Sequence, residues 1–335
     1  MKIIILCLVT ILTTINLTAQ DYTFNLVDSI RIEYDSNIFF YDSVNEDYFF
    51  SYSYSDNSII KYNLENKTLH SELVRKGRGP GETLIINDIS LGSNGTLHIL
   101  DMNQAKILLK DDKFNTLSEF IIKAPLQMIG VIPIENDIYV HIPSEKLTGS
   151  IFNKVDLSTE PAKLIPLAAK DDIPDKLTRN NMGNLFENMG RYTVMNKSIY
   201  FMSKYSPSIK VYDITNNSVK EYEFDSDVQE MEQEAYITED GSRISLPPQK
   251  ADIVGENIFV HPNDENIVFI NAYGRTEVRS YYRDVFYVFD ISKNEIIGEI
   301  DLDIEVDNIS VYCNRLYVGK KVKNDEPYTV YIYEL

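Results

Sequence analysis

The sequence predicts an all-β protein: a six-bladed β-propeller of four-stranded antiparallel blades, its ring closed by the N-terminal strand in the last blade. Three observations predict this. One strand–turn unit recurs six times at intervals of about 45 residues, the period of a four-stranded blade. A strand at the N-terminus has no unit of its own, while the sixth unit stops on its third strand. The composition, with 23 Tyr, 15 Phe and many Ile and Val, favours strands.

Taken in order, the chain opens with Lys2 and an apolar run from Ile3 to Ile15, then a small residue at Ala19. A basic start, a short apolar core and a small residue describe a cleavable export signal, residues 1–20. The run is shorter than the roughly 18–20 residues that span a bilayer. Cys7 lies inside the apolar core, so it is badly placed to be a lipidated first residue, and no lipoprotein is expected. Residues 21–335 form the propeller, exported to the periplasm or beyond. No later apolar run is long enough to cross a membrane, and a monomer is expected.

Phe24, Leu26, Ile30 and Ile32 mark the leftover first strand. The repeating unit is an amphipathic strand ending in an acidic or amide turn: 59–67, 106–114, 151–158, 209–217, 286–294 and, cut off by the C-terminus, 330–335. Before each copy stands another short strand, at 48–50, 97–100, 137–140, 198–201, 266–269 and 315–318. The first strand then supplies the missing outer strand of the last blade, and closure hides the sheet edges that an open array would expose. Three stretches break the period. One is a connection at 169–190. Another is an insertion over Asp225–Lys250, with a short acidic helix expected at 228–235. The third is an insertion over Asn271–Asp284 in blade five. Asp301–Asp307 places acids at alternate positions, which predicts a strand with one wet face. A calcium loop is a poor fit there, because Val306 stands where such a loop needs Gly.

The stretch Arg75-Lys76-Gly77-Arg78-Gly79-Pro80-Gly81-Glu82 reads as a sharp exposed turn joining blades one and two. It resembles the signature of a group of exported six-bladed propeller proteins of Bacteroidota. Leu97 to Ile107, where a strand ends in Asp101 before a turn, resembles an NHL-type repeat, so the resemblance is to NHL/TolB-like propellers. It implies the fold and export, and it implies no catalytic residue.

A net charge of −19 argues against nonspecific nucleic-acid binding. Cys313 is the only cysteine after the leader, so no intrachain disulfide can form in the exported chain. No motif calls for a metal or a cofactor, and His98 and His141 read as packed residues of second strands. Eight of the ten arginines fall in or beside segments assigned to one face, where loops joining fourth to first strands and second to third strands meet. The candidate ligand-binding residues are Arg75, Arg78, Glu82, Asp101, Arg191, Tyr205, Tyr273, Arg275, Arg279 and Arg283. Guanidinium groups suit carboxylate or sulfate, and tyrosines among them suit sugar rings. For the turn itself an architectural role competes, in which it sets the angle between two blades and Arg78 bonds backbone carbonyls.

The expected function is therefore a non-catalytic binding or scaffold propeller that recognises a glycan, a peptide or an envelope protein. The alternative is a carbohydrate-active enzyme, a polysaccharide lyase or glycoside hydrolase at the channel mouth, with Glu82 and Asp101 as the first carboxylates to test.

Overall fold

A computed structural model describes residues 22–32, 39–53, 57–123, 128–143, 148–168, 188–203, 208–223, 235–237, 243–245, 254–273, 285–320 and 327–335. Six four-stranded antiparallel sheets form the blades of a propeller. Blade one comprises Phe39–Val44, Tyr48–Ser53, Ser58–Asn63 and Leu69–Leu73; blade two comprises Asp88–Leu91, Leu97–Asp101, Lys106–Lys110 and Thr116–Ile121. Blade three comprises Gly130–Ile134, Asp137–His141, Phe152–Asp156 and Lys163–Pro166; blade four comprises Gly190–Met195, Ser198–Ser203, Ser208–Asp213 and Ser218–Glu223. Blade five comprises Val254–His261, Asp264–Tyr273, Val285–Asp290 and Glu295–Asp301. Blade six comprises Val306–Tyr312, Arg315–Lys320 and Tyr328–Glu334, completed by Asn25–Ile32.

That last pairing closes the ring as the sequence predicts. The N-terminal strand lies antiparallel to the final one, from Asn25 opposite Glu334 to Ile32 opposite Tyr328, with one bulge between Leu26 and Asp28. Ile30 and Ile32 are buried there, in a cluster with Phe49, Ile60, Tyr317 and Val330 that joins blade six to blade one. Five further apolar clusters of the described residues occupy the other five blade interfaces. The core is thus six face-to-face sheet contacts around a ring. Second strands are sandwiched on both faces and are buried along nearly their whole length, as in Tyr48–Ser53. Outer strands such as Ser218–Glu223 stay largely exposed.

The acidic or amide turn of the repeat has a local cause. Asn63, Asp111, Asp156, Asp213 and Asp290 each end a third strand or follow it, and each side chain accepts from a backbone N–H two or three residues on. This closes the turn to the fourth strand. Bonds from Asn115, Ser158 and Asn216 hold the carboxyls of Asp111, Asp156 and Asp213 below their ordinary range.

Three expectations are corrected or bounded. Asp301–Asp307 is not one strand: Asp301 ends blade five, Val306 opens blade six, and the chain bends between them at Asp303, whose φ is +60° and whose N–H bonds Asp301 Oδ1. Of the alternating acids, Asp303 and Glu305 are loop residues while Asp301 and Asp307 belong to different strands, because the step between blades interrupts the pleat. The expected acidic helix falls on 228–234, outside the described residues, and Ala235–Ile237 pairs with Arg243–Ser245 as a two-stranded ribbon. Asn271–Tyr273 continues the second strand of blade five, so that insertion narrows to 274–284, outside the described residues. The leader, residues 1–20, also lies outside them. Among the described residues, no helix is long and apolar enough to cross a membrane.

Candidate functional site

The order of strands decides which groups share a face. In each blade the connection from the second to the third strand, and the connection from the fourth strand to the next blade, leave by the same end. The basic turn joins the fourth strand of blade one to the first of blade two. It meets the second-to-third connection of blade two, where Gln104 Nε2 donates to Gly77 O at 3.0 Å.

The turn is locked from beneath. Asp101, fully buried, accepts from Leu84 N, Gln104 N and Gln104 Nε2. Lys106, only 2% exposed, donates to the carbonyls of Gly79 and Glu82 and lies 3.8 Å from Glu119. Glu119 in turn accepts from Gly81 N at 2.8 Å. Glu82 folds back to accept from Gly79 N at 2.8 Å. The glycines therefore serve different ends. Gly81 has φ +73°, the left-handed region. At Gly77 a Cβ would lie 2.1 Å from Glu82 Oε2, so that position is kept clear for the carboxylate.

This arrangement divides the candidates. Gln104 Nε2 reaches the Asp101 carboxylate and the backbone carbonyl of Glu82. The Glu82 carboxylate accepts from Gly79 N, whereas Asp101 accepts from Leu84 N and Gln104 N, so each carboxylate is committed to backbone amides. Carboxylates held in that way are anchors. Arg75 and Arg78 are exposed and have no side-chain partner among the described residues. The expected bonding of Arg78 to backbone carbonyls is corrected: buried Lys106, at the start of the third strand of blade two, bonds the carbonyls of the turn. Tyr205, Arg275, Arg279 and Arg283 fall outside the described residues, as does the side chain of Tyr273. In the sequence Tyr205 falls between the second and third strands of blade four, and the three arginines between those of blade five.

Arg191 is on the wall of the central channel, in the first strand of blade four, and is exposed to a cavity of 550 Å³. Asp88, His141, Tyr192, Asn257 and Asn308 line the same cavity. Tyr192 Oη donates to Asp88 Oδ2 at 2.9 Å, and Val131 N donates to the same oxygen at 2.8 Å. One carboxylate thus links blades two, three and four. Gly130 leaves the gap through which Tyr192 reaches, since a Cβ there would lie 2.6 Å from Tyr192 Oη. Burial pushes the Asp88 carboxyl up to about 7, against the pull of its hydrogen bonds and of Arg191. Burial pulls His141 down to about 4; its Nε2 pairs with Asn188 O at 3.1 Å, and its ring packs against Phe152 and Phe201. His141 is a packed neutral residue, as is His98 in blade two, which burial also lowers.

Asp88, Tyr192, Asn257 and Asn308 are not among the sequence candidates. A signal for three of them exists: Asn87-Asp88-Ile89, Glu256-Asn257-Ile258 and Asp307-Asn308-Ile309 each put a polar pair before Ile at the start of a first strand.

Solved structures with the same architecture show the fold. A member of the DUF4221 family from Bacteroides vulgatus has a TM-score of 0.61 at 11% identity, covering 93% of this chain and 98% of its own. A putative exported protein from Bacteroides fragilis gives 0.55 at 9%, over 94% and 96%. Virginiamycin B lyase from Staphylococcus aureus gives 0.51 at 13%, over 93% and 99%. Comparison with curated proteins finds no match. Residues 14–250, more than half of the chain, match the model of a domain of unknown function, and the chain belongs to that family, DUF4221.

Proposed function

We propose that this protein is an exported, non-catalytic recognition propeller that binds a glycan, peptide or protein of the cell envelope on the face around the channel mouth. One observation carries the reading. The basic turn is fixed from below by Asp101, Gln104, Lys106 and Glu119, while Arg75 and Arg78 stand exposed above it without partners among the described residues. Two guanidinium groups on a rigid turn, in a chain of net charge −19, present a local anion site whose ordering entropy is already spent. We assign Tyr205, Tyr273, Arg191, Arg275, Arg279 and Arg283 to the border of the same face. Export is supported by the short apolar leader. The Asp101 turn supports a place beside NHL/TolB-like propellers. Glu82 and Asp101 do not support a glycosidase pair, since both are occupied as anchors. Likeness to a lyase at 13% identity concerns the fold alone.

The test is a thermal-shift panel of acidic and neutral oligosaccharides on the protein and on Arg75→Ala/Arg78→Ala. A ligand at 100 times its dissociation constant adds about 2.7 kcal/mol. A shift with acidic sugars that the double variant loses supports the reading. A shift that survives the variant places the binding elsewhere.

A further inference from the structure

We infer that the channel itself carries a ligand site: a tier of four polar residues, Asp88, Arg191, Asn257 and Asn308, that takes a small polyhydroxylated carboxylate, the size of one uronic acid. The inference rests on the reading of this end of the propeller as a recognition face and carries that face inward.

The tier follows from strand register. Asp88 lies opposite Leu100, which lies opposite Ile107, four residues before the turn acid Asp111. Arg191, through Met202 and Ile209, stands four residues before Asp213 in the same sense. Asn257, through Asn271 and Phe286, stands four before Asp290, and Asn308, through Gly319 and Val330, four before Glu334. Four blades therefore put a polar residue at one level of the channel wall. Blade three puts Gly130 there, opposite His141 and Phe152, and the Tyr192 ring fills the space that the glycine leaves. Two of the four positions are made by β-bulges. Glu256 is an extra residue between Gly255 and Asn257, and Asp307 between Val306 and Asn308. A bulge bends its strand and re-aims the side chains beside it, and bulges recur next to binding sites.

What marks the tier as a site is that three of its four members, Arg191, Asn257 and Asn308, keep hydrogen-bonding capacity unspent, while Asp88 is already held by Val131 N and Tyr192 Oη. Asn308 is 8% exposed and its amide has no hydrogen-bond partner among the described residues. Asn257 is 4% exposed and makes one long bond, Nδ2 to Asn271 Oδ1 at 3.4 Å, which leaves its oxygen free. Buried polar groups are normally paired. Among the described side-chain atoms, those buried from solvent without a partner are Thr83 Oγ1 and Asn153 Oδ1. The amides of Asn257 and Asn308 are not among them, so they meet solvent, and the cavity they line is where they meet it.

Ligand class follows from the groups. An amide offers donors and an acceptor, the match for vicinal hydroxyls. Arg191 offers an exposed guanidinium that makes no hydrogen bond or ion pair among the described residues and acts on Asp88 only through its charge, the match for a carboxylate. Asp88, held through Oδ2, completes the wall. Its carboxyl is pushed up to about 7, so it sets less than a full negative charge against an incoming anion. A volume of 550 Å³ falls within the roughly 300–1,000 Å³ of small-molecule sites.

The experiment is isothermal titration of the protein with D-glucuronate, D-galacturonate and D-glucose. One uronate should bind at least tenfold more tightly than glucose. Arg191→Gln should erase that preference, and Asn308→Leu should weaken the uronate at least tenfold. Because Arg191 is exposed, its variant remains informative if Asn308→Leu does not fold. No heat with any monosaccharide overturns the inference, as does uronate binding that Arg191→Gln leaves intact. If acidic oligosaccharides still bind through Arg75 and Arg78 while uronates do not, the channel site fails and the face stands. If neither binds, both fail.

Discussion

The turn between blades one and two and the tier inside the channel are both polar, both close to one end of the propeller, and opposite in what their polar groups do. In the turn, Asp101, Gln104, Lys106, Glu82 and Glu119 bond the backbone, so charge is consumed as architecture. In the tier, the amides of Asn257 and Asn308 and the guanidinium of Arg191 bond little or nothing among the described residues. Residue type alone points the wrong way, since the buried acids look catalytic and the asparagines look like loop filler. What separates anchor from ligand group is whether its bonding capacity is already used.

The sharpest way to break this comparison is to remove an anchor. Asp101→Ala leaves Leu84 N, Gln104 N and the Gln104 amide without their acceptor in a fully buried place, and should cost about 3 kcal/mol. Asn308→Ala gives up no hydrogen bond to a described residue and should cost about 1 kcal/mol or less. Denaturant unfolding of the two variants measures the gap; equal losses would erase the distinction between anchor and ligand group.

A pH series separates two buried groups of the channel wall. Asp88 holds its proton more tightly in the folded state, so its contribution is full below the unfolded value of 3.8 and is lost as pH rises to about 7. His141 resists protonation, so its contribution is full above 6.5 and is lost as pH falls to about 4. At about 1.4 kcal/mol per pH unit, Asp88 is worth roughly 4–5 kcal/mol and His141 roughly 3–4 kcal/mol, and between pH 4 and 6.5 they oppose one another. Relative to the parent, Asp88→Asn should make stability rise more steeply with pH in that window, and His141→Gln should make it fall. Parallel pH profiles in parent and both variants would remove the buried titrations from the account.

A smaller effect tests the glycine. Gly77→Ala places a methyl group against the Glu82 carboxylate and should cost about 1–2 kcal/mol. Because the clash is with a side chain, Gly77→Ala should cost much less in a Glu82→Ala background than in the parent. An undiminished cost would mean that backbone freedom, and not space for the carboxylate, requires glycine there. Smallest of all, Arg75→Ala and Arg78→Ala should each change stability by less than about 0.5 kcal/mol. A larger loss in chemical unfolding would make these guanidinium groups structural.

Blade number, strand order within each blade and ring closure were all readable in the amino-acid sequence. Their causes are local. Period-two alternation forms strands, and Asn63, Asp111, Asp156, Asp213 and Asp290 close turns with their own neighbours. The first strand without a unit, and the last unit without a fourth strand, leave one economical pairing, and Ile30 and Ile32 are buried in it. The site was legible only in part. Arg75 and Arg78 stand out because glycines mark an exposed turn. That Glu82 and Asp101 are anchors depends on Gly79 N and Leu84 N arriving where their oxygens point, a matter of geometry and not of spacing. The tier depends on register across three strands in each blade and on bulges at Glu256 and Asp307, which shift a strand by one residue. Such shifts leave no fixed spacing in the chain, so only the assembled ring decided which polar residues face the channel together.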